Sequence, residues 1–315
     1  MNQEIQGISV VVPVYNSQAT LVPLVQRLEP VLRAIGDFEI ILVNDGSPDQ
    51  SWSVIQKLTA QFTFVAGINL MRNYGQHNAL MCGIRAAKYA ITCTLDDDLQ
   101  NPPEEIPKLV AALGDTFDVV YGAPQKERHG LWRDLASQIT KLALQHTMGA
   151  ATARNISSFR VIRTHLRRAF EDYRSPFVSV DVLLTWGTTR FTVVRVQHDP
   201  RIIGASGYTL RKLVYHALNM LTGFSTFPLR IASWIGFSFT VFGILTLAYV
   251  LFRYMIQGTT VPGFPFLASV ISIFSGAQLF AMGIIGEYLA RLHSRMMERP
   301  LYAVLERTDG GTDKA

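Results

Sequence analysis

Two long stretches without charge in the last third of the chain limit the folds open to it. The first covers residues 231–252, and after the single Arg253 no further charge occurs before Glu287. A helix needs about 20 mostly apolar residues to cross the hydrocarbon core of a membrane. The stretches therefore predict transmembrane helices at about 231–253 and 264–286. The alternative is a pair of helices buried in a soluble core, where two such runs in succession rarely occur.

Basic residues on the flanks of these stretches predict their orientation. Arg211, Lys212 and Arg230 precede the first stretch, and the basic tail RLHSRMMERP follows the second. Positively charged flanks of membrane helices stay in the cytoplasm. The N-terminus has no basic leader, and its apolar run ends at Pro13, unlike a signal peptide. We predict a multi-pass protein of the inner (plasma) membrane, with its N-terminal domain and its tail at 291–315 in the cytoplasm.

Composition supports a membrane protein over a nucleic-acid-binding one. Hydrophobic residues make up 49% of the chain, charged residues only 17%, and the net charge is +5. Such a balance fits a membrane surface or a phosphorylated ligand, and no basic-aromatic pattern indicates nucleic acid. Cys82 and Cys93 stand in apolar settings and are predicted to be buried, reduced thiols. His77 is predicted to cap or pack a helix rather than to act in catalysis.

The first 125 residues alternate strand-like and helix-like runs. ISVVVPVY, at 8–15, is a β-branched run typical of a strand covered on both faces. Repeated β-α units predict a doubly wound parallel sheet, in which ligands bind beyond the carboxyl ends of the strands. We predict strands at 8–15, 38–45, 63–70, 90–96 and 117–122, and helices at 20–35, 51–61, 75–90 and 104–113.

The region between this α/β domain and the apolar stretches is more mixed. It predicts an amphipathic helix at 132–148 and a strand at 190–198. A second amphipathic helix, at 208–224, begins with basic residues and suits a membrane surface. The predicted organisation is an α/β domain at 1–207, an interfacial helix segment at 208–228, a membrane domain at 229–290 and a basic tail at 291–315.

Acidic residues gather at two of the predicted strand ends. The sequence DDDLQ, which begins at Asp96, follows a buried strand, and Asp45 ends another. A D-x-D pair at a strand end can hold Mg²⁺ or Mn²⁺ through oxygen ligands and share it with substrate phosphates. We predict Asp96, Asp98 and Gln100 as metal ligands. The alternative is a solvated acidic loop before the next helix.

Four motifs together resemble the polyprenyl-phosphate glycosyltransferases of glycosyltransferase family 2. They are PVYN at 13–16, VNDGS at 43–47, NYGQHNA at 73–79 and DDDLQNPPEEIP at 96–107. The resemblance covers nearly the whole chain, because these enzymes also end in two transmembrane helices and a short basic tail. It implies a GT-A fold, a UDP-sugar donor, a divalent metal (Mg²⁺ or Mn²⁺) and an undecaprenyl or other polyprenyl phosphate as acceptor. It also allows a tetramer.

The resemblance assigns roles in donor binding to residues of these motifs. Pro13 and Tyr15 would border the nucleoside, and Asp45 would hydrogen-bond the base. Asp96 and Asp98 would bind ribose, metal and diphosphate. The remaining donor-binding residues would be Asp97, Gln100 and Ser206.

The acceptor is a phosphate and is therefore already an anion. It needs a cationic seat rather than a general base. The resemblance implies that Arg133 and Ser137, one helical turn apart, bind it. The alternative for Arg133 is a surface arginine paired with Asp134. Arg201 would contact the donor diphosphate or the acceptor phosphate as a planar fork, or else anchor a loop.

The chain departs from the family pattern in three places. Gly207 stands where the family motif after Arg201 has lysine, and Pro124 and Gln125 stand where an arginine is often found. Arg154 and Asn155 precede SSFR (157–160) in place of a common aspartate. These changes leave the sugar open and do not touch the predicted metal site.

Two other functions compete with single-sugar transfer. A processive polysaccharide synthase shares the nucleotide motifs but usually carries Q-x-x-R-W, which this sequence lacks. A catalytically inactive membrane scaffold or sugar-lipid binding protein of the same fold would not need Asp98. The intact aspartate cluster argues against it.

Overall fold

A computed structural model describes residues 7–124, 156–174, 178–199, 227–257, 264–297 and 299–309. The chain divides into two compact units. One consists of residues 1–210 together with 299–315, and the other of residues 211–298. The first unit contains a sheet with helices, and the second contains two long helices.

The described residues of the first unit form an eight-stranded mixed sheet in the order β7-β5-β6-β4-β1-β2-β3-β8. The four strands β1 to β4 run parallel, while β6 and β8 run antiparallel to their neighbours. The strands are β1 (Ile8–Val14), β2 (Phe38–Asn44), β3 (Val65–Leu70), β4 (Ile91–Thr94), β5 (Val119–Pro124), β6 (Arg160–Arg163), β7 (Phe191–Val196) and β8 (Val304–Thr308).

Helices cover both faces of the sheet. Every residue of β1 is buried, as its continuous apolar run predicts. Val10 and Val12 belong to the core under α1, and Val11 faces α3 at Gly83. The helices are α1 (Leu21–Arg33), α2 (Ser51–Gln61), α3 (Gln76–Ala86), α4 (Ile106–Leu113) and α5 (Val180–Gly187), with 3-10 turns at Pro103–Glu105 and Thr164–Phe170.

The α/β class predicted from the sequence is confirmed, with differences in detail. The sheet is mixed rather than all parallel, because β6 and β8 enter it from distant parts of the chain. Helix α3 ends at Ala86, not at residue 90, because Ala87 turns to an extended ψ of 132°. Cys82 and Cys93 are buried free thiols, as predicted, and burial raises the pKa of Cys82 to about 11.

Part of the predicted basic tail at 291–315 has regular structure that the sequence did not predict. A long helix continues to Met296, and residues 304–308 form β8, which pairs with β3. Leu301, between them, is 5% exposed. The apolar pattern of residues 304–308 is too short to predict a strand. They form one because they pair with β3.

The second unit contains α6 (Phe227–Gln257) and α7 (Phe264–Met296). The helices contact each other, with the rings of Phe239 and Phe274 5.4 Å apart. Their large apolar side chains are mostly exposed; Trp234, for example, is 70% exposed. Among the described residues, Ile273–His293 is long and apolar enough to cross a membrane, and Ile231–Thr246 is a shorter apolar segment.

Candidate active site

The aspartate loop, residues 95–101, leaves the carboxyl end of β4 beside β1. The backbone N–H of Leu95 donates to the carbonyl of Val11 at 3.1 Å, which extends the contact between the two strands. Leu99 then adopts a left-handed backbone with φ of 61°, although its side chain is buried. Such a conformation is unfavourable for leucine and persists only where surrounding contacts hold it. The loop is thus bent back so that three aspartates stand at the strand end.

Asp96 is held through both carboxylate oxygens. Oδ1 accepts a hydrogen bond from the Gln76 amide at 2.6 Å, and Oδ2 accepts one from the Ser158 hydroxyl at 2.5 Å. Gln76 is the first residue of α3, and Ser158 lies just before β6. Neither was predicted as a site residue, although both belong to sequence motifs, NYGQHNA and SSFR. These contacts fix the side-chain orientation of Asp96 from two sides.

Asp97 ties the aspartate loop to the end of β1. Its Oδ2 accepts from the backbone N–H of Tyr15 at 3.1 Å and from the Ser17 hydroxyl at 2.5 Å. Burial raises the pKa of Asp97 to about 6, and the neighbouring Asp96 and Asp98 add to the increase, while the two hydrogen bonds oppose it. In this geometry Asp97 organises the loop after β1.

The raised pKa of Asp97 predicts a pH-dependent cost to stability. An unfolded aspartate ionises near pH 4, so ionised Asp97 destabilises the fold as the pH rises from about 4 through 6. Asp97→Asn keeps an oxygen acceptor and removes the charge. In metal-free buffer we expect the variant to be more stable than the parent by up to about 3 kcal/mol at pH 8, with the difference shrinking towards pH 4. Thermal unfolding between pH 4.5 and 8 measures this, and a difference independent of pH would contradict it.

Asp98 and Gln100 form the far part of the loop. Oδ1 of Asp98 accepts from the backbone N–H of Gln100 at 3.2 Å, and the carbonyl of Gln100 accepts from the N–H of Asp199 at 2.8 Å. Within the described ranges, no three His, Cys, Asp or Glu side chains are arranged to hold a metal ion.

Asp45 follows β2 and organises the loop after β3. Its two oxygens accept from the backbone N–H groups of Tyr74 at 2.7 Å and Gly75 at 2.9 Å. Burial raises the pKa of Asp45 despite these hydrogen bonds, which favour the charged form. The predicted hydrogen bond from a base would therefore use the remaining lone pairs of the two Asp45 carboxylate oxygens.

Glycine is required where the loops after β2 and β3 meet. Gly46 has a φ of +61°, and a Cβ there would lie 2.5 Å from the backbone of Arg72 and Asn73. No side chain fits against backbone at that distance. The VNDGS motif therefore combines an acid that binds the neighbouring loop with a glycine that lets the loop approach.

The residues predicted to border the nucleoside lie at the same edge of the sheet. Pro13 is buried within β1, where it aligns with Val43, and Tyr15 is 48% exposed just beyond the strand end. The N–H of Asp45 donates to the carbonyl of Val14 at 2.9 Å. The structure thus brings together the ends of β1, β2 and β4, as expected for a parallel sheet.

Comparisons with known proteins identify the family. The model for "Glycosyl transferase family 2" matches residues 9–173. This chain belongs to glycosyl transferase family 2. An undecaprenyl-phosphate 4-deoxy-4-formamido-L-arabinose transferase of Pseudomonas savastanoi pv. phaseolicola is 36% identical over 305 residues, which cover 95% of this chain and 90% of the relative. One from Shewanella sediminis is 35% identical, over 96% and 93% of the two chains.

Solved structures share the fold of this family 2 glycosyltransferase. A crystal structure of a mycobacterial protein superimposes with a TM-score of 0.50 at 17% identity, covering 69% of this chain and 73% of the other. The mixed sheet with helices on both faces is the GT-A fold, as the resemblance implied. At this level of identity the likeness concerns the fold alone.

A buried ion pair stands behind the aspartate loop of the glycosyltransferase. Arg160 is 1% exposed and forms a salt bridge with Asp181, which also accepts from the Tyr121 hydroxyl at 2.9 Å. Nε of Arg160 donates to the Thr94 hydroxyl at 3.0 Å, and that hydroxyl donates to the Ser158 carbonyl at 2.6 Å. Because Ser158 donates to Asp96, a continuous hydrogen-bonded path joins the buried pair to Asp96.

Several predicted residues of this glycosyltransferase fall outside the described ranges. The described chain stops beside the aspartate loop at Asp199, and the segment that opens with Arg201 follows two residues later in sequence. Outside the described residues lie Arg133, Ser137, Arg201 and Ser206, the departures at Gln125, Arg154, Asn155 and Gly207, and the predicted helices at 132–148 and 208–224.

Proposed function

We propose that this glycosyltransferase transfers one sugar from a UDP-sugar to undecaprenyl phosphate and forms a polyprenyl-phosphate sugar for cell-envelope glycans. The observation that carries the proposal is the aspartate loop, bent back at the joined ends of β1, β2 and β4 in a family 2 chain. Relatives over nearly the full length are named for undecaprenyl phosphate, which supports the acceptor. An inactive scaffold is not favoured, because its loop would not need so many fixed carboxylates.

On the donor side, Asp96 and Asp98 are proposed to hold Mg²⁺ or Mn²⁺ with Gln100 beside them. A bound cation of this kind neutralises the charge that develops on the departing nucleoside diphosphate. Gln76 and Ser158 fix the orientation of Asp96 before the donor binds. Little free energy is therefore needed to orient this carboxylate during the reaction. Tyr15 and Pro13 are proposed to border the nucleoside, and Asp45 to read the base.

On the acceptor side, a phosphate oxygen attacks the anomeric carbon, and the bond from that carbon to the UDP oxygen breaks. The acceptor is already anionic, so no general base is needed, and attack opposite the leaving group inverts the configuration. Arg133 and Ser137 are proposed to hold the acceptor phosphate, and Arg201 to contact the donor diphosphate or the acceptor phosphate. Ser206 is proposed as a further donor contact.

We also propose that α6 and α7 hold the enzyme in the inner membrane as two spans, with the sheet unit in the cytoplasm. The support is the exposed apolar surface of both helices, because large exposed apolar surfaces are unfavourable in water and mark sites of contact with a membrane or another protein. Phe237, Phe242, Leu279 and Met282 are each more than half exposed. The interfacial helix at 208–224 and assembly into a tetramer stay predictions of the sequence and the resemblance.

The test uses the full-length protein in detergent with undecaprenyl phosphate, Mn²⁺ or Mg²⁺, and radiolabelled UDP- and GDP-sugars, including UDP-4-deoxy-4-formamido-L-arabinose. We expect label to move into the lipid phase with one UDP-sugar and to stay in water when EDTA is added. Undecaprenol without its phosphate is the matched control for the acceptor and should take no label. The absence of any metal-dependent UDP binding would overturn the proposal.

A further inference from the structure

The C-terminal segment, residues 299–309, is part of the sheet that carries the donor site. After α7 the chain returns to pair β8 antiparallel with β3, the outer strand of the parallel set. The pairing joins Gly67 with Thr308 and continues to Leu70 with Val304, with an irregularity between Asn69 and Leu70. An uncovered β3 would present a row of unpaired backbone groups.

Side chains fasten the segment to the sheet unit at both ends. Near its start, Leu301 is buried, and the half-buried Tyr302 has the Arg85 guanidinium 6.0 Å from its ring centre. Near its end, the Glu306 carboxylate accepts from Nε1 of Trp52 at 3.0 Å and from the Gln56 amide at 3.5 Å. The segment is therefore anchored to α2 and α3 as well as to β3.

The same segment holds the first residue of the loop at 71–75. The backbone N–H of Met71 donates to the carbonyl of Ala303 at 2.9 Å. Three and four residues further along this short loop, the N–H groups of Tyr74 and Gly75 donate to Asp45. The loop is thus fixed at one end by the C-terminal segment and at the other by Asp45.

The middle of this loop is held by its backbone, which lies against Gly46 at Arg72 and Asn73, rather than by buried side chains. The side chains of Met71, Arg72 and Asn73 are exposed, and the Arg72 guanidinium stacks over the ring of Tyr74 at 4.4 Å. Asp45 can keep its orientation only while the loop's N–H groups stay aimed at it. Loss of the Met71 contact would remove the anchor at the end of the loop away from Asp45 and leave the Gly46 contact to hold that side.

We propose that the C-terminal segment is a positioning element of the uridine-nucleotide site. Through Met71 it fixes the loop at 71–75, and through the N–H groups of Tyr74 and Gly75 that loop orients Asp45. The link from the loop to nucleotide affinity rests on the proposed function, whereas the link from the segment to the loop does not. The segment follows α7 in the sequence. The donor site can therefore be completed only after α7 has been synthesised.

Two truncated chains test the proposal. One ends at Arg299 and lacks β8, and its matched control ends at Asp309 and keeps β8. In the shorter chain we expect amide hydrogen exchange in a peptide spanning residues 71–76 to rise at least tenfold, with a peptide from β1 unchanged. We expect the Kd for UDP with Mn²⁺ to rise about tenfold and the KM for undecaprenyl phosphate to stay the same.

A milder change covers the case in which the shorter chain does not fold. Glu306→Ala removes the acceptor for Trp52 and Gln56, and Glu306→Gln keeps an oxygen there. We expect Glu306→Ala to raise exchange in the 71–76 peptide and the Kd for UDP about threefold, and Glu306→Gln to restore most of both.

The outcomes separate the two proposals. Equal exchange in the 71–76 peptide for the parent and Glu306→Ala, and for both truncated chains where they fold, would overturn the positioning role. Faster exchange in a parent that binds no UDP would leave the positioning role standing and overturn the uridine donor. Equal rises in the KM values for donor and acceptor would indicate general loosening of the fold, and would also count against the positioning role.

Discussion

Asp98→Asn is expected to lower kcat/KM for sugar transfer at least about a hundredfold, the usual scale for losing a group that stabilises transition-state charge. The variant keeps the shape of the side chain and an oxygen that accepts from the Gln100 N–H, so the loop should keep its bend. It removes the charge that the proposed metal needs. The measurement is the initial rate of label transfer at varied donor concentration.

Asp115→Asn is the matched control, because Asp115 is exposed on the loop after α4 and away from the aspartate loop in sequence. It should keep the parent rate. Raising the Mn²⁺ concentration should recover part of the activity of Asp98→Asn if the carboxylate is a metal ligand. Parental activity in Asp98→Asn would remove Asp98 from the site and revive the acidic-loop alternative.

The sequence predicted that the acidic strand ends meet at one edge of the sheet, because the signals for this are local. DDDLQ follows a buried strand, and the carboxyl ends of parallel strands meet at one edge, so the meeting of Asp45, Tyr15 and the aspartate loop follows from strand order. The inner partners were not predictable in this way. Ser158 reaches Asp96 across 62 positions, and no spacing rule connects a serine before β6 to an aspartate after β4.

The residue type and position of the acids also do not predict their hydrogen-bond partners. The sequence predicts a carboxylate at a strand end as a ligand for base, ribose or metal. In the structure two of these acids hold the protein's own loops: Asp45 accepts from the N–H groups of Tyr74 and Gly75, and Asp97 accepts from the Tyr15 N–H and the Ser17 hydroxyl. Composition and position give the charge but not which N–H groups fold over to meet it. Strand β8 escaped prediction for a related reason, since its partner lies more than 230 residues earlier in the chain.

Arg160→Met is expected to destabilise the protein by about 3–5 kcal/mol, which lowers the thermal unfolding temperature by about 10 °C. The change leaves Asp181 buried with only the Tyr121 hydroxyl as a described partner. Burial raises the pKa of Tyr121, so that hydroxyl keeps its proton and cannot neutralise the acid. The loss is therefore the cost of an uncompensated buried charge, which is larger than the net value of the intact pair.

The control for this variant is Arg190→Met, which removes an arginine from another Arg–Asp pair. Arg190 is 54% exposed, and its partner Asp118 keeps a second arginine, Arg163, at 3.5 Å. We expect a much smaller loss of stability there, because solvent screens an exposed ion pair. The double variant Arg160→Met with Asp181→Leu should be more stable than Arg160→Met alone, because both charges then leave the interior. Thermal unfolding of the four proteins distinguishes these cases. Equal losses for Arg160→Met and Arg190→Met would mean that burial of the ion pair does not set the cost of removing its arginine.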